Sequence, residues 1–159
     1  MIELQFIAIP KKVYVTAVAS EGETELNAFD NCLLKVGIGD VSLVKVTSIL
    51  PGDIEITEEP TILPAGANVP AIYTYKISNN PGEKIAAAIA LGQTKGGPTL
   101  VAEYSDVGVS IEEAETEASK RLMIMAKARN LEVQSTEVYS IDHVVEKIGC
   151  ALAIVVEIE

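Results

Sequence analysis

In residues 13–18, Val13, Val15 and Ala17 alternate with Tyr14, Thr16 and Val18, which predicts a strand after an edge segment at residues 2–9. The period then lengthens. Leu26, Phe29, Leu33 and Val36 recur at helical spacing behind Thr24, a natural N-cap, and Gly37 ends the run. Residues 41–50 turn β-rich again and stop at Pro51. Between Pro51 and Pro70 the connection also holds Pro60 and Pro64, a density that predicts no regular structure. Residues 71–78 and 84–91 read as strands joined by an Asn79-Asn80-Pro81-Gly82 turn, although the alanines of the second also permit helix. A Gly-Pro loop at 94–98 leads into a short strand at 99–104. Ser110 and Glu113 then form a capping box for a helix to about Arg129, with Ala114, Ala118, Leu122 and Met125 near one face and Asn130 placed to close it. Residues 131–143 are β-biased, and residues 148–158, apolar except at Gly149 and Glu157, belong in the centre of a sheet. Two helices among many strands predict an α+β fold, a layered αββα sandwich of largely antiparallel sheets forming a single domain over residues 1–159.

Composition narrows the chemistry. The 159 residues are 48% hydrophobic but only 4% aromatic, without Trp, so the core must be aliphatic. Twelve Lys and Arg against 23 Asp and Glu give a net charge of -11, a field that repels nucleic-acid backbones and attracts a small cation, although such charge also serves solubility alone. Cys32 and Cys150 stand far apart in apolar surroundings without a CxxC pattern, and are expected to be reduced core residues of a cytoplasmic protein. The first ten residues lack the basic region and cleavage site of a signal peptide, and no apolar run approaches the roughly 20 residues that span a bilayer, so no membrane role is expected.

Several familiar sites fail on order or spacing. Gly37-Ile38-Gly39 closes a helix and opens a strand, the reverse of a dinucleotide loop. The glycines around Lys95 lack P-loop spacing, and a single histidine, His143, permits neither a multi-histidine metal site nor much choice of triad, so no metal is expected and His143 reads as a structural or surface residue rather than a catalytic one. Thr47-Ser48 interrupts the β-rich run just before Ile49-Leu50-Pro51 and sets a hydroxyl nucleophile beside a Pro-fixed turn. By itself that pair is ordinary strand sequence.

The wider pattern is not ordinary. Ser20-Glu21-Gly22-Glu23-Thr24, Leu26-Asn27-Ala28-Phe29-Asp30, Gly37-Ile38-Gly39, Ser48-Ile49-Leu50-Pro51, Leu63-Pro64-Ala65-Gly66-Ala67, Ala102-Glu103-Tyr104 and Gly149-Cys150-Ala151 together resemble the pyruvoyl-dependent arginine decarboxylases over nearly the whole chain. The resemblance implies self-cleavage between Thr47 and Ser48 into a β chain of residues 1–47 and an α chain of residues 48–159, with Ser48 becoming a pyruvoyl group. That group would take the substrate amine as a Schiff base and accept electrons as carbon dioxide leaves, the role pyridoxal phosphate (PLP) has elsewhere, so neither PLP nor metal is implied. Glu103 would return a proton to the α-carbon, and Asp30 would receive the guanidinium of a small cationic amino acid. Leu26, Phe29, Leu33 and Ile49 would line its aliphatic part, with Gly39 and Ser42 supporting the site. Ser42 stands where the family carries Asn near the cleavage site; a hydroxyl cannot bridge two partners as an amide can, which bears on the rate of self-processing. The family also implies a homo-oligomer, a trimer or a dimer of trimers. Two rival readings are a pyruvoyl decarboxylase for another amino acid and an unprocessed, non-catalytic oligomeric binding protein.

Overall fold

The computed structural model describes residues 7–159. Two sheets stack face to face with one helix on each outer side, the αββα order expected. Strand β1 (Lys12–Glu21) leads into helix α1 (Glu25–Lys35), then β2 (Ser42–Lys45), β3 (Ile49–Leu50), β4 (Glu55–Thr57), β5 (Asn68–Ser78), β6 (Lys84–Thr94), β7 (Thr99–Val107), helix α2 (Ile111–Ala128), β8 (Val133–Val144) and β9 (Gly149–Glu157). The first sheet runs β2-β5-β9-β1-β4 and the second β3-β7-β6-β8. Pairings are antiparallel except β1 with β4 and β2 with β5.

Period-two alternation explains how the layers pack. On β6, Ile85, Ala87, Ile89 and Leu91 face the space between the sheets, where they meet Val13, Val15, Ile72, Ala153 and Val155. Its other face is alanine. Ala86, Ala88 and Ala90 leave room for α2 to press Ala114, Ala118, Leu122 and Ala126 against the sheet. Strand β9, central as its sequence predicts, sends Cys150, Leu152, Ile154 and Val156 towards Ala28, Cys32, Leu33 and Val36 on the α1 side. Both helices start on their predicted caps: Thr24 Oγ1 accepts from Asn27 N at 3.0 Å and Ser110 Oγ from Glu113 N at 3.1 Å. Gly37 and Asn130 follow the two helix ends with positive φ of 83° and 53°.

The structure corrects several expectations. Residues 2–6 of the proposed edge segment lie outside the described residues, and residues 7–9 form no strand. Residues 41–50 are not one strand: β2 and β3 belong to different sheets. The proline-dense connection does hold regular structure, because β4 avoids its prolines and pairs in parallel with the start of β1. Pro70 enters β5 without breaking it, since the β5–β9 ladder begins only at Ala71. On α1 the buried face is Ala28, Cys32 and Leu33, while Leu26 is 76% exposed; on α2 Ala126 takes the buried position and Met125 is half-buried. In each helix small residues beside the long ones let the backbone lie close to its sheet.

Candidate active site

The segment carrying Thr47 and Ser48 passes from one sheet to the other. Ser42 N donates to Ala67 O at 2.8 Å, β2 pairs with β5, and Val46 N extends that ladder to Ala71 O at 2.9 Å. Two residues later the Ser48 carbonyl accepts from Val101 N at 2.9 Å, and Ile49 pairs with Leu100 on β7. Main-chain bonds therefore hold both ends of the crossing and leave Thr47 between them. Thr47 is exposed and Ser48 half-buried.

Glu103 lies two residues beyond Val101 on the same face of β7. Val101 belongs to the core between the sheets, so the Glu103 carboxyl enters that space at the edge where the crossing occurs. Its Oε2 is buried and has no hydrogen-bond partner. Burial raises its pKa above the usual carboxylate range, and the charges of Lys45 and Arg121 offset part of the rise. Arg121 reaches back from α2, donating from Nη1 to the Glu103 carbonyl at 3.3 Å and lying 4.8 Å from the Tyr104 ring centroid. Beyond Glu103, Ser105 Oγ donates to Tyr75 O at 3.0 Å, and Thr74 Oγ1 lies 2.7 Å from Ser105 Oγ. The sheets are thus clasped at Ser105 and bridged at residues 46–48, with Glu103 between the two ties. The result is a partly desolvated carboxyl on the strand to which the Ser48 main chain is hydrogen-bonded.

The remaining candidates form a second group. Thr24, Leu26, Asn27, Phe29, Asp30 and Leu33 line an open depression of about 360 Å³ on α1, with Asp30 exposed at its wall. Neither Ser48 nor Glu103 lines it. An aromatic chain runs from one group towards the other: the Phe29 ring centroid lies 4.6 Å from that of Tyr75 and 6.2 Å from that of Tyr73, and Lys45 Nζ sits 4.9 Å over Tyr73. Ile49 belongs with Ser48 and is 42% exposed. Gly39 shapes the turn into β2, where an added Cβ would come within 2.4 Å of Leu34 Cδ2. Ser42 opens β2 with its side chain exposed. Lys45, Tyr73 and Arg121 were not singled out from the sequence; a lone cation inside the apolar run at 41–50 was the available signal for Lys45. His143 is structural, its Nε2 lying 2.6 Å from Glu21 Oε2, whose other oxygen accepts from Lys147 N at 2.7 Å. Among the described residues no group of three or more His, Cys, Asp or Glu is placed to hold a metal, and no helix is long and apolar enough to cross a membrane.

Residues 12–159 match the family model described as pyruvoyl-dependent arginine decarboxylase. Curated proteins of that name share 43% identity over 150 residues in Methanocaldococcus jannaschii, covering 93% of this chain and 90% of the relative. In Methanothermobacter thermautotrophicus the figure is 40% over 153 residues, covering 96% of this chain and all of the relative. In Pyrococcus furiosus it is 40% over 150 residues, covering 92% and 94%. The chain belongs to the pyruvoyl-dependent arginine decarboxylase family. Members of this family are lyases whose electron-accepting group is a covalently bound pyruvoyl rather than PLP or a metal. The residues present here fit such a group: a half-buried serine is fixed through its carbonyl, and a buried carboxyl oxygen nearby lacks any partner.

Proposed function

We propose that the chain cuts itself between Thr47 and Ser48 and then decarboxylates arginine to agmatine and carbon dioxide. One observation carries this reading: the Ser48 carbonyl is bonded to Val101 two residues from Glu103, whose buried Oε2 has no partner. In the cleavage, the Ser48 hydroxyl attacks the Thr47 carbonyl and an ester replaces the amide. Loss of the Ser48 α-proton expels the Thr47 carboxylate, and water then displaces ammonia to leave the pyruvoyl group. Bound at the head of residues 48–159, that group supplies a carbonyl able to accept electrons from the substrate α-carbon. Glu103, whose pKa burial raises, returns a proton to that carbon.

Asp30 offers a carboxylate to the two-pronged guanidinium, which sets arginine apart from lysine, whose ammonium is a single point. Leu26, Phe29, Leu33 and Ile49 pack against the aliphatic stem. Within one chain the Asp30 depression does not contain Ser48, and Leu26 is left 76% exposed and Ile49 42% exposed. A second copy laid against this edge would supply what one copy lacks, which supports the homo-oligomer, a trimer or a dimer of trimers, that the family resemblance implies, with the cytoplasm as the compartment that the reduced cysteines suggest. Intact mass and a denaturing gel test the cleavage. Purified protein should give two fragments, the larger blocked at residue 48, while Ser48→Ala stays whole. Full-length chain alone after prolonged warm incubation would sink the proposal, and sedimentation showing only monomer would remove the shared site.

A further inference from the structure

Two nucleophilic side chains take no part in the chemistry above, and they sit on opposite sides of the proposed cut. Cys32 on α1 and Cys150 at the head of β9 are both free and both 0% exposed. They are 118 positions apart in sequence, yet Cys32 Sγ lies 3.5 Å from the Cys150 carbonyl oxygen, and both side chains belong to the same buried cluster between α1 and β9. The geometry points to a redox-modifiable pair: Cys32 and Cys150 form a reversible disulfide that joins residues 1–47 to residues 48–159 covalently once the chain has cut itself. The joining role rests on the self-cleavage proposed above; the disulfide does not.

The surroundings give the two sulfurs different parts. The approach of Cys150, the Lys35 ammonium one turn along α1 and the Ser20 backbone favour the Cys32 thiolate, whereas the approach of Cys32 and burial disfavour the Cys150 thiolate. Cys32 is therefore the attacking sulfur. With a diazene oxidant such as diamide, the Cys32 thiolate adds to one nitrogen of the N=N bond and the other nitrogen takes up a proton. Cys150 sulfur then attacks the Cys32 sulfur and breaks its bond to the nitrogen it had added to, which takes up the second proton, so the diazene leaves as the hydrazine carrying the two hydrogens the thiols lose. Because neither thiol is exposed, oxidation waits for α1 to lift from its sheet, a short element of 11 residues, and its rate reads that opening.

Folded, processed protein is treated with diamide, and free thiols are counted in denaturant beside reducing and non-reducing gels. The expected result is loss of both thiols, one non-reducing band at the mass of the two fragments together, and two bands after dithiothreitol. Cys32→Ser and Cys150→Ser should each leave two bands without reductant. Retention of both thiols, fragments that stay separate, or links only between copies would overturn the proposal. If self-cleavage fails instead, the Ser48→Ala protein still reads the pair, through loss of both thiols and recovery of a Cys32–Cys150 cross-linked peptide.

Discussion

Glu103 is held with one carboxyl oxygen buried and unpartnered, so its charged form is disfavoured in the folded protein. Its pKa is raised relative to the unfolded chain. The sign follows: below the ordinary carboxylate pKa the group is protonated in both states and costs nothing extra, and as pH rises through the elevated folded value the fold gives up stability. Glu103→Gln should therefore gain in melting temperature relative to the parent as pH rises to neutrality, a comparison that scanning calorimetry at several pH values makes directly. The same variant should process normally yet lose kcat by about 10² to 10⁴, since an amide has no proton to transfer. A cleaved Glu103→Gln with near-normal kcat would take the residue out of the reaction. Asp30 is exposed and free to meet a ligand; Asp30→Asn should cleave as before and weaken arginine by roughly 1.5 to 3 kcal/mol, the worth of a charge-assisted hydrogen bond, without a matching loss for citrulline. Steady-state kcat/KM on arginine, lysine, ornithine and citrulline measures it. Ser48 and Glu103 stand out only through the family resemblance that the order of short motifs carries; spacing and composition alone leave them an ordinary strand serine and a surface carboxylate. Lys45 and Arg121 do not stand out at all, since their roles come from charge and main-chain contacts that only the packed sheets bring about.

Elements were legible where periodicity and caps agreed. Both helices and their caps follow from apolar spacing together with capping residues, and the central place of β9 from its nearly unbroken apolar run. Short strands escaped. β4 has three residues and β3 two, too few for a period, and they exist because a neighbouring strand offers free main-chain groups. Leu26 misled for a related reason: helical spacing marks a stripe, but the sheet chose the face with Ala28 and Cys32, where the backbone can approach closely. The same close approach governs α2. A Cβ on Gly92 of β6 would lie 2.7 Å from Leu122 Cδ2, and Leu122 is fully buried with little space to yield. Gly92→Ala should cost about 1 to 3 kcal/mol by overpacking, read as a lower denaturant midpoint at unchanged m-value. Adding Leu122→Val, which shortens the clashing side chain, should recover part of it. Equal stability of Gly92→Ala and parent would mean that α2 rides further from the sheet than described.

At the scale of the whole molecule, cutting at Thr47–Ser48 divides a sheet rather than detaching a tail. β1 lies between β9 and β4, and β2 lies against β5, so among the described residues the strands before the cut are hydrogen-bonded on every pairing to strands of residues 48–159. The inner face of β1 also gives Val13 and Val15 to the core between the sheets. The cut fragments should therefore co-elute as one particle and part only on global unfolding. Their unfolding then releases two chains per copy where the uncut Ser48→Ala protein releases one, so mass action adds a concentration dependence to the processed form beyond any that oligomerisation gives both. Melting temperatures over a hundredfold dilution should fall more steeply for processed protein than for Ser48→Ala. Oxidising Cys32 and Cys150 makes the fragments one covalent unit again, and the two slopes should then coincide. Parallel slopes before oxidation would mean that residues 1–47 are held too weakly to share in the cooperative unit, against the paired position of β1. A difference that survives complete oxidation would mean that the link does not cross the cut.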